Sequence, residues 1–333
     1  MRVPIILPNN FLARAFVLLA VAVLAVAVLA GAPRLAAAED WPQRPVTLLI
    51  SFASGSMIDF VGRSLANDLS EAIGQPVVVE TKSGGGGVVA SLFVAKAPPD
   101  GYTLLLTGVG PAALRPLMDK SVGYDPVADF TPIILIGETP NVLLANPNLG
   151  VKTVKDLVAY AKSKGGKISI GHSGPGTMGQ LCTLLFAAEA GLDLSSVSYR
   201  GTAPMMIDVL GGQIDAGFPA YNPATRQATV LAVTTDERVD FLPDVPTMKE
   251  SGFDLVGGTW HAILGPAHMP PEIVAKLNGL MNAFLRKPDI RRRFSEAGYR
   301  VFGGPPARVT ERIVQERTKW SKIIEDAKIG GDK

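Results

Sequence analysis

Short apolar runs alternate with stretches of helical period along most of this chain, and that alternation restricts it to one broad class of fold. Val46-Thr47-Leu48-Leu49-Ile50 is strand-like, and residues 52–56 read as a loop. Ile58, Val61, Leu65, Leu69 and Ile73 then recur at helical spacing until Gly74. Residues 76–80 make a second strand candidate. Gly84 to Gly87 read as a flexible turn, 88–97 as a helix and 102–107 as a third strand. A βαβαβ order builds a parallel sheet with helices on its faces.

A second set follows. Strands are expected at 141–145, 167–170, 197–199, 214–218 and 230–234, with helices over 153–164, 177–190 and 204–210. Thr153 is placed to cap the first of these helices. After Pro266, Pro270 and Pro271, further helices are expected over 272–286, 288–297 and 309–328. Two such sets without a long linker predict two α/β lobes. Ligands of open α/β sheets sit beyond the carboxyl ends of strands, so the facing lobes frame a cleft. A hinged cleft suits ligand capture.

The N-terminus sets the compartment. Arg2 and Arg14 precede an Ala, Val, Leu and Phe run over 15–30, and Ala36-Ala37-Ala38 ends a small-residue stretch before Glu39. This is the pattern of a secretory signal peptide over 1–38, cleaved near Ala38. An uncleaved anchor needs about 20 apolar residues, and this run is shorter. Cleavage removes Arg2, Arg14 and Arg34 from a chain with 32 basic and 30 acidic residues, leaving 29 against 30. That balance gives no footprint for nucleic acid. Cys182 is the only cysteine, which excludes an internal disulfide. The mature chain is expected in the periplasm.

Several motifs invite chemistry. Gly174-Pro175-Gly176-Thr177-Met178-Gly179 fits G-x-G-x-x-G between a strand and a helix, yet no acid follows at the ribose-binding spacing. What remains is a turn whose backbone N–H groups suit an anion at a helix N-terminus, or a plain tight turn. Gly171-His172-Ser173-Gly174-Pro175 fails the nucleophile elbow at Pro175. His172, His261 and His268 lack metal-ligand spacing, so no metal is expected. Ser54, Gly55 and Ser56 precede a helix and offer a second anion loop. Asp59 there either orients a ligand or complements the helix dipole. Arg200 is able to pair a carboxylate, or stands solvated.

Several stretches together resemble one family. They include Trp41-Pro42-Gln43-Arg44-Pro45-Val46, Asp100-Gly101-Tyr102-Thr103-Leu104-Leu105, Tyr124-Asp125-Pro126-Val127-Ala128-Asp129-Phe130, Tyr199-Arg200-Gly201-Thr202-Ala203-Pro204 and Leu242-Pro243-Asp244-Val245-Pro246-Thr247. In this order they resemble the periplasmic receptors of tripartite tricarboxylate transporters, the Bug receptors. The resemblance implies a two-lobed, periplasmic-binding-protein-like α/β fold, type II-like, with an interdomain cleft. It assigns 39–137 plus 264–333 to one lobe and 138–263 to the other, with crossing strands near 137–145 and 260–266. It implies that Phe52, Ser54, Gly55, Ser56 and Asp59 face Ser173, Gly174, Gly176 and Thr177. Tyr199, Arg200, Gly201 and Thr202 lie beside them, with Thr107, Gly108 and Phe218 in the same site. Ser51, Ser56, Gln180 and Pro219 depart from the family's usual residues.

The function so implied is capture of a small organic acid by a monomer that delivers it to membrane transporter subunits. It implies no cofactor, no metal and no catalytic residue. The alternatives are an exported hydrolase using Ser173 or Asp59, and a sensor serving a signalling partner.

Overall fold

The computed structural model describes residues 41–326 apart from Ala53. The expected leader and its cleavage point lie outside the described residues, as does the terminal helix beyond Asp326. One compact unit begins at Arg44 and contains everything discussed below.

The first set forms as expected: β1 (Val46–Ile50), α1 (Met57–Ile73), β2 (Val77–Thr81), α2 (Val88–Ala95) and β3 (Thr103–Gly108). β1 runs parallel to both β2 and β3. Its apolar residues are buried on both faces, which is why it reads as a continuous run rather than an alternating one. A π-helical turn at Gly110–Leu114 and a short helix, α3 (Arg115–Met118), follow β3. Neither was expected. β4 (Phe130–Pro140) and β5 (Val142–Ala145) come next, with only Asn141 between them.

The second set is α4 (Val154–Ser163), β6 (Ser169–His172), α5 (Met178–Ala190), β7 (Ser195–Ser198), α6 (Thr202–Leu210), β8 (Ala216–Gly217) and β9 (Thr229–Val233). The chain closes with β10 (Gly258–Pro266), α7 (Pro271–Arg286), α8 (Pro288–Glu296), β11 (Arg300–Val301) and α9 (Ala307–Asp326). Thr153 caps α4 reciprocally: its Oγ1 accepts from Asp156 N at 3.1 Å while the Asp156 carboxylate accepts from Thr153 N at 2.9 Å.

The strands make two sheets. One has the order β11-β4-β10-β3-β1-β2 and the other β7-β6-β8-β5-β9. The chain passes from the first sheet to the second at Asn141 and returns between β9 and β10. Glu138, Thr139 and Pro140 pair with Trp260, Thr259 and Gly258 in the first sheet. Residues 138–140 and 258–263, expected in the second lobe, are therefore strand residues of the first sheet. Hydrogen bonds fix the crossing. Thr259 Oγ1 donates to Asn141 Oδ1 at 2.7 Å, and Asn141 N donates to Thr234 Oγ1 at 3.1 Å.

α7 and α9 pack on β4. On α9 the buried residues Val309, Ile313, Trp320 and Ile324 share one face. Each such side chain contributes about 1.5–3 kcal/mol on burial, so α9 is held firmly against the crossing strand.

Candidate functional site

The first loop joins β1 to α1. Ser51 is buried, and its Oγ donates to the Leu106 carbonyl at 3.2 Å, tying the end of β1 to β3. Phe52 and Ser56 are half-buried, while Ser54 and Gly55 are exposed. Asp59 is buried, and both its oxygens are engaged. Oδ2 accepts from Gly55 N at 3.0 Å and Oδ1 from Arg63 Nε at 2.9 Å. Its carboxylate shapes the loop, and the Gly55 amide is already spent on it. Gly55, Ser56 and Asp59 also line a surface groove of about 520 Å3 with Phe60, Arg63 and Phe284.

The glycine loop joins β6 to α5. Gly174 has φ 126° and Gly176 φ 68°, conformations that disfavour a side chain. Thr177 caps α5: its Oγ1 accepts from Gln180 N at 3.4 Å and donates to Gly174 O at 2.7 Å. Gly176 N donates to Gln180 Oε1 at 2.7 Å, so this amide too has a partner. His172 Nδ1 lies 3.0 Å from Gly174 O. Burial lowers its pKa, against the Gly174 contact that favours the charged ring. The third glycine of the motif serves packing, because a Cβ on Gly179 would stand 2.3 Å from the Phe218 carbonyl oxygen.

The turn after β7 lies beside this loop. Tyr199 N donates to His172 O at 2.9 Å, and Ser173 Oγ stands 3.4 Å from Thr202 Oγ1. A Cβ on Gly174 would lie 3.4 Å from the Tyr199 carbonyl oxygen. Tyr199 OH donates to Asp208 at 2.6 Å, and burial with that carboxylate pushes the phenol up to about 12. Gly201 has φ 131° and precedes α6. Arg200 is exposed and has no hydrogen bond or ion pair among the described residues. Phe218 adjoins this group through its backbone, its N donating to Gly171 O at 2.9 Å, while its side chain turns into the core. It is fully buried, and its ring meets Phe186 edge-on at 5.9 Å.

The two sheets meet at Gly86, in the run expected as a flexible turn, and at Gly110, for which no role is expected. A Cβ on Gly86 would lie 2.1 Å from Pro175 O, and one on Gly110 would lie 2.9 Å from Gly176 O. In the other direction, a Cβ on Gly176 would lie 2.8 Å from Arg115 Cδ. Gly84, Gly85, Gly86 and Gly87 all have positive φ. The run is thus a shaped surface at the ends of β1 and β3, against which the loop after β6 seats. Gly86, Gly110 and Arg115 are not among the residues expected at the site, and Gln180 is expected there only as a departure from the family's usual residue. Four successive glycines were the available signal.

Thr107 and Gly108 end β3 beside this contact. A Cβ on Gly108 would lie 3.0 Å from Trp260 O. Thr107 is buried, and its Oγ1 has no hydrogen-bond partner among the described residues; neither has Arg115 Nε. A buried polar group left unpaired costs about 1–3 kcal/mol. A carboxylate oxygen satisfies such donors, so their chemistry fits a small acid. No group of three or more His, Cys, Asp or Glu among the described residues is placed to hold a metal ion. Ser173 contacts Thr202 rather than a base, and His172 turns to Gly174.

Comparison with known proteins gives this arrangement a family. Residues 61–329 match the model of the tripartite tricarboxylate transporter family receptor. Among solved structures, R. palustris Rpa4515 with adipate is 35% identical, covering 87% of this chain and 99% of that one at a TM-score of 0.83. The periplasmic binding protein BugD is 33% identical over 88% of this chain and 100% of its own, TM-score 0.82. MatC from Rhodopseudomonas palustris with bound malate is 29% identical over 85% and 100%, TM-score 0.80. The chain belongs to the tripartite tricarboxylate transporter receptor family.

Proposed function

We propose that the mature chain is a periplasmic receptor that closes two lobes on a small dicarboxylate and passes it unchanged to membrane subunits. The lobes are carried by the two sheets, with the hinge at Asn141 and at the return between β9 and β10. Closure brings the loop at Ser173, Gly174 and Thr177, with Thr202 beside it, over the ends of β1 and β3. Thr107 presents its hydroxyl there. The first loop, from Phe52 to Asp59, closes the site from the same side. The chain acts as a monomer and carries out no covalent step.

The observation that carries this reading is the glycine-lined contact of Gly86 and Gly110 with Pro175 and Gly176. It holds a loop from each sheet together beside a buried hydroxyl that needs a partner. Adipate in a 35% identical relative supports a dicarboxylate of similar length. Calorimetric titration of the mature protein with a panel of mono-, di- and tricarboxylates tests it. The expected result is micromolar binding, about 8 kcal/mol, to at least one dicarboxylate, with the acid recovered unaltered. Silence across the panel overturns the ligand class, and conversion of the acid overturns the receptor role.

A further inference from the structure

Behind the crossing strands lies a cavity of about 790 Å3 whose two walls carry opposite charge. Strand order fixes its place. In the first sheet β4 and β10 separate β1 and β3, which bear the front loops, from β11 at the edge. In the second, β8 and β5 separate β6 and β7 from β9. The cavity is lined by the segment after β9 on one side, by α8, β11 and α9 on the other, and by Glu138 and Gly258 of the crossing strands between them. It therefore lies across the hinge from the glycine loops.

The wall after β9 presents the exposed acids Asp236, Glu237 and Asp240. The facing wall presents Arg291, Arg300 and Lys319, all exposed, with Arg312 half-buried. Among the described residues no ion pair joins the walls. Arg300 and Arg312 turn to Glu138 instead, and Arg238 turns to Glu250. Lys319 Nζ donates across to the Val256 carbonyl at 2.9 Å. The front loops touch in this form; at the rear the walls meet at the Lys319 bond and where Gly298 packs on Tyr221 and Phe241, while Asp236, Glu237 and Asp240 make no ion pair with the facing bases. Rotation about strands lying between front and rear exchanges the two: opening the front narrows the rear and brings acid to base.

We propose that the rear cavity is an electrostatic spring that favours the open form and so lowers ligand affinity. This rests on the hinged-receptor reading above. Charges within about 8 Å attract at physiological salt and are screened above it. A receptor whose closed state is less populated binds its ligand more weakly by that fraction.

Two double variants test it: Arg291→Gln with Lys319→Gln, and Asp236→Asn with Asp240→Asn. All four positions are exposed, so both proteins are expected to fold. Adipate is titrated by calorimetry at low and at high sodium chloride. The spring predicts that both variants bind adipate more tightly at low salt, by roughly two- to fivefold, as for one or two exposed ion pairs. It also predicts that the gain disappears at high salt. Direct attraction of an anion gives a different pattern, in which loss of bases weakens binding and loss of acids tightens it. Opposite signs, or no change, overturn the proposal. Small-angle scattering of the ligand-free proteins reads the spring independently, with both variants expected to be more compact than the parent. If the parent binds no carboxylate, the receptor reading fails, and scattering still decides on the spring.

Discussion

Gly86 is the residue at which one methyl group separates the sheets. Its Cβ would stand 2.1 Å from a backbone oxygen of the facing loop, which is fixed by the cap on α5 and cannot yield like a side chain. Gly86→Ala is expected to weaken adipate binding at least tenfold in calorimetry. Its φ of 68° adds strain of about 1–2 kcal/mol, which local instability alone would also show. Gly85→Ala shares that strain at φ 57° and meets only Val88 at 3.3 Å. It is the control, and equal losses in the two variants would remove Gly86 from the closure contact. Thr107 gives a second test of opposite sign. Thr107→Val keeps the shape and removes the unpartnered hydroxyl. Without ligand it is expected to raise the urea midpoint, by about 1 kcal/mol of stability, while adipate affinity falls. A variant that is both less stable and unaltered in binding would place the hydroxyl outside the site.

At the scale of elements, local rules account for what was legible. α4 was readable because Thr153 and Asp156 satisfy one another's backbone amides without help from the rest of the chain. Thr153→Ala is accordingly expected to cost about 1 kcal/mol in chemical denaturation, with adipate binding unchanged because the helix lies away from the glycine loops. β1, β2 and β3 were readable from apolar runs set between helical periods. The loops after β6 and β7 came together because β6 and β7 are adjacent parallel strands. Features set by distant partners were not legible. β4 and β10 pair along nine residues of β10 with register shifts, so the crossing strands run further into the first sheet than their sequence pattern marks. The turn at Gly110–Leu114 is π-helical, and its hydrogen-bond period has no sequence signature of its own. Phe218 follows a two-residue strand, too short for alternation to assign its face, and Phe186 on α5 decides it. The glycine run read as slack because its partner, Pro175, is remote in sequence.

For the whole molecule, acid stability follows from two imidazoles buried neutral, one in each sheet. His261 on β10 is buried against Tyr299, its Nδ1 3.2 Å from the phenol oxygen, and burial pushes it down to about 3. His172 on β6 is lowered in the same direction. The unfolded chain takes up these protons near the ordinary value of about 6.5, whereas the folded chain does so only at lower pH. The unfolded state therefore binds more protons in that window, and stability falls as pH drops through it. From about pH 7.5 to about pH 5, His261 alone is expected to remove about 2 kcal/mol. Asp125, Asp156 and Glu250 have lowered carboxyl pKa values, and they act below that window. Urea midpoints measured across this range should fall steadily toward acid. In His261→Gln, which is able to keep a hydrogen bond to Tyr299 without titrating, the slope should flatten to what His172 leaves, whatever the variant costs at neutral pH. A slope identical to that of the parent would mean that His261 takes up its proton at an ordinary pH. The packing of Tyr299 against β10 would then be looser than the stacked His261 and Tyr299 rings require, and the crossing strand would be a less rigid axle for two lobes that have to turn about it.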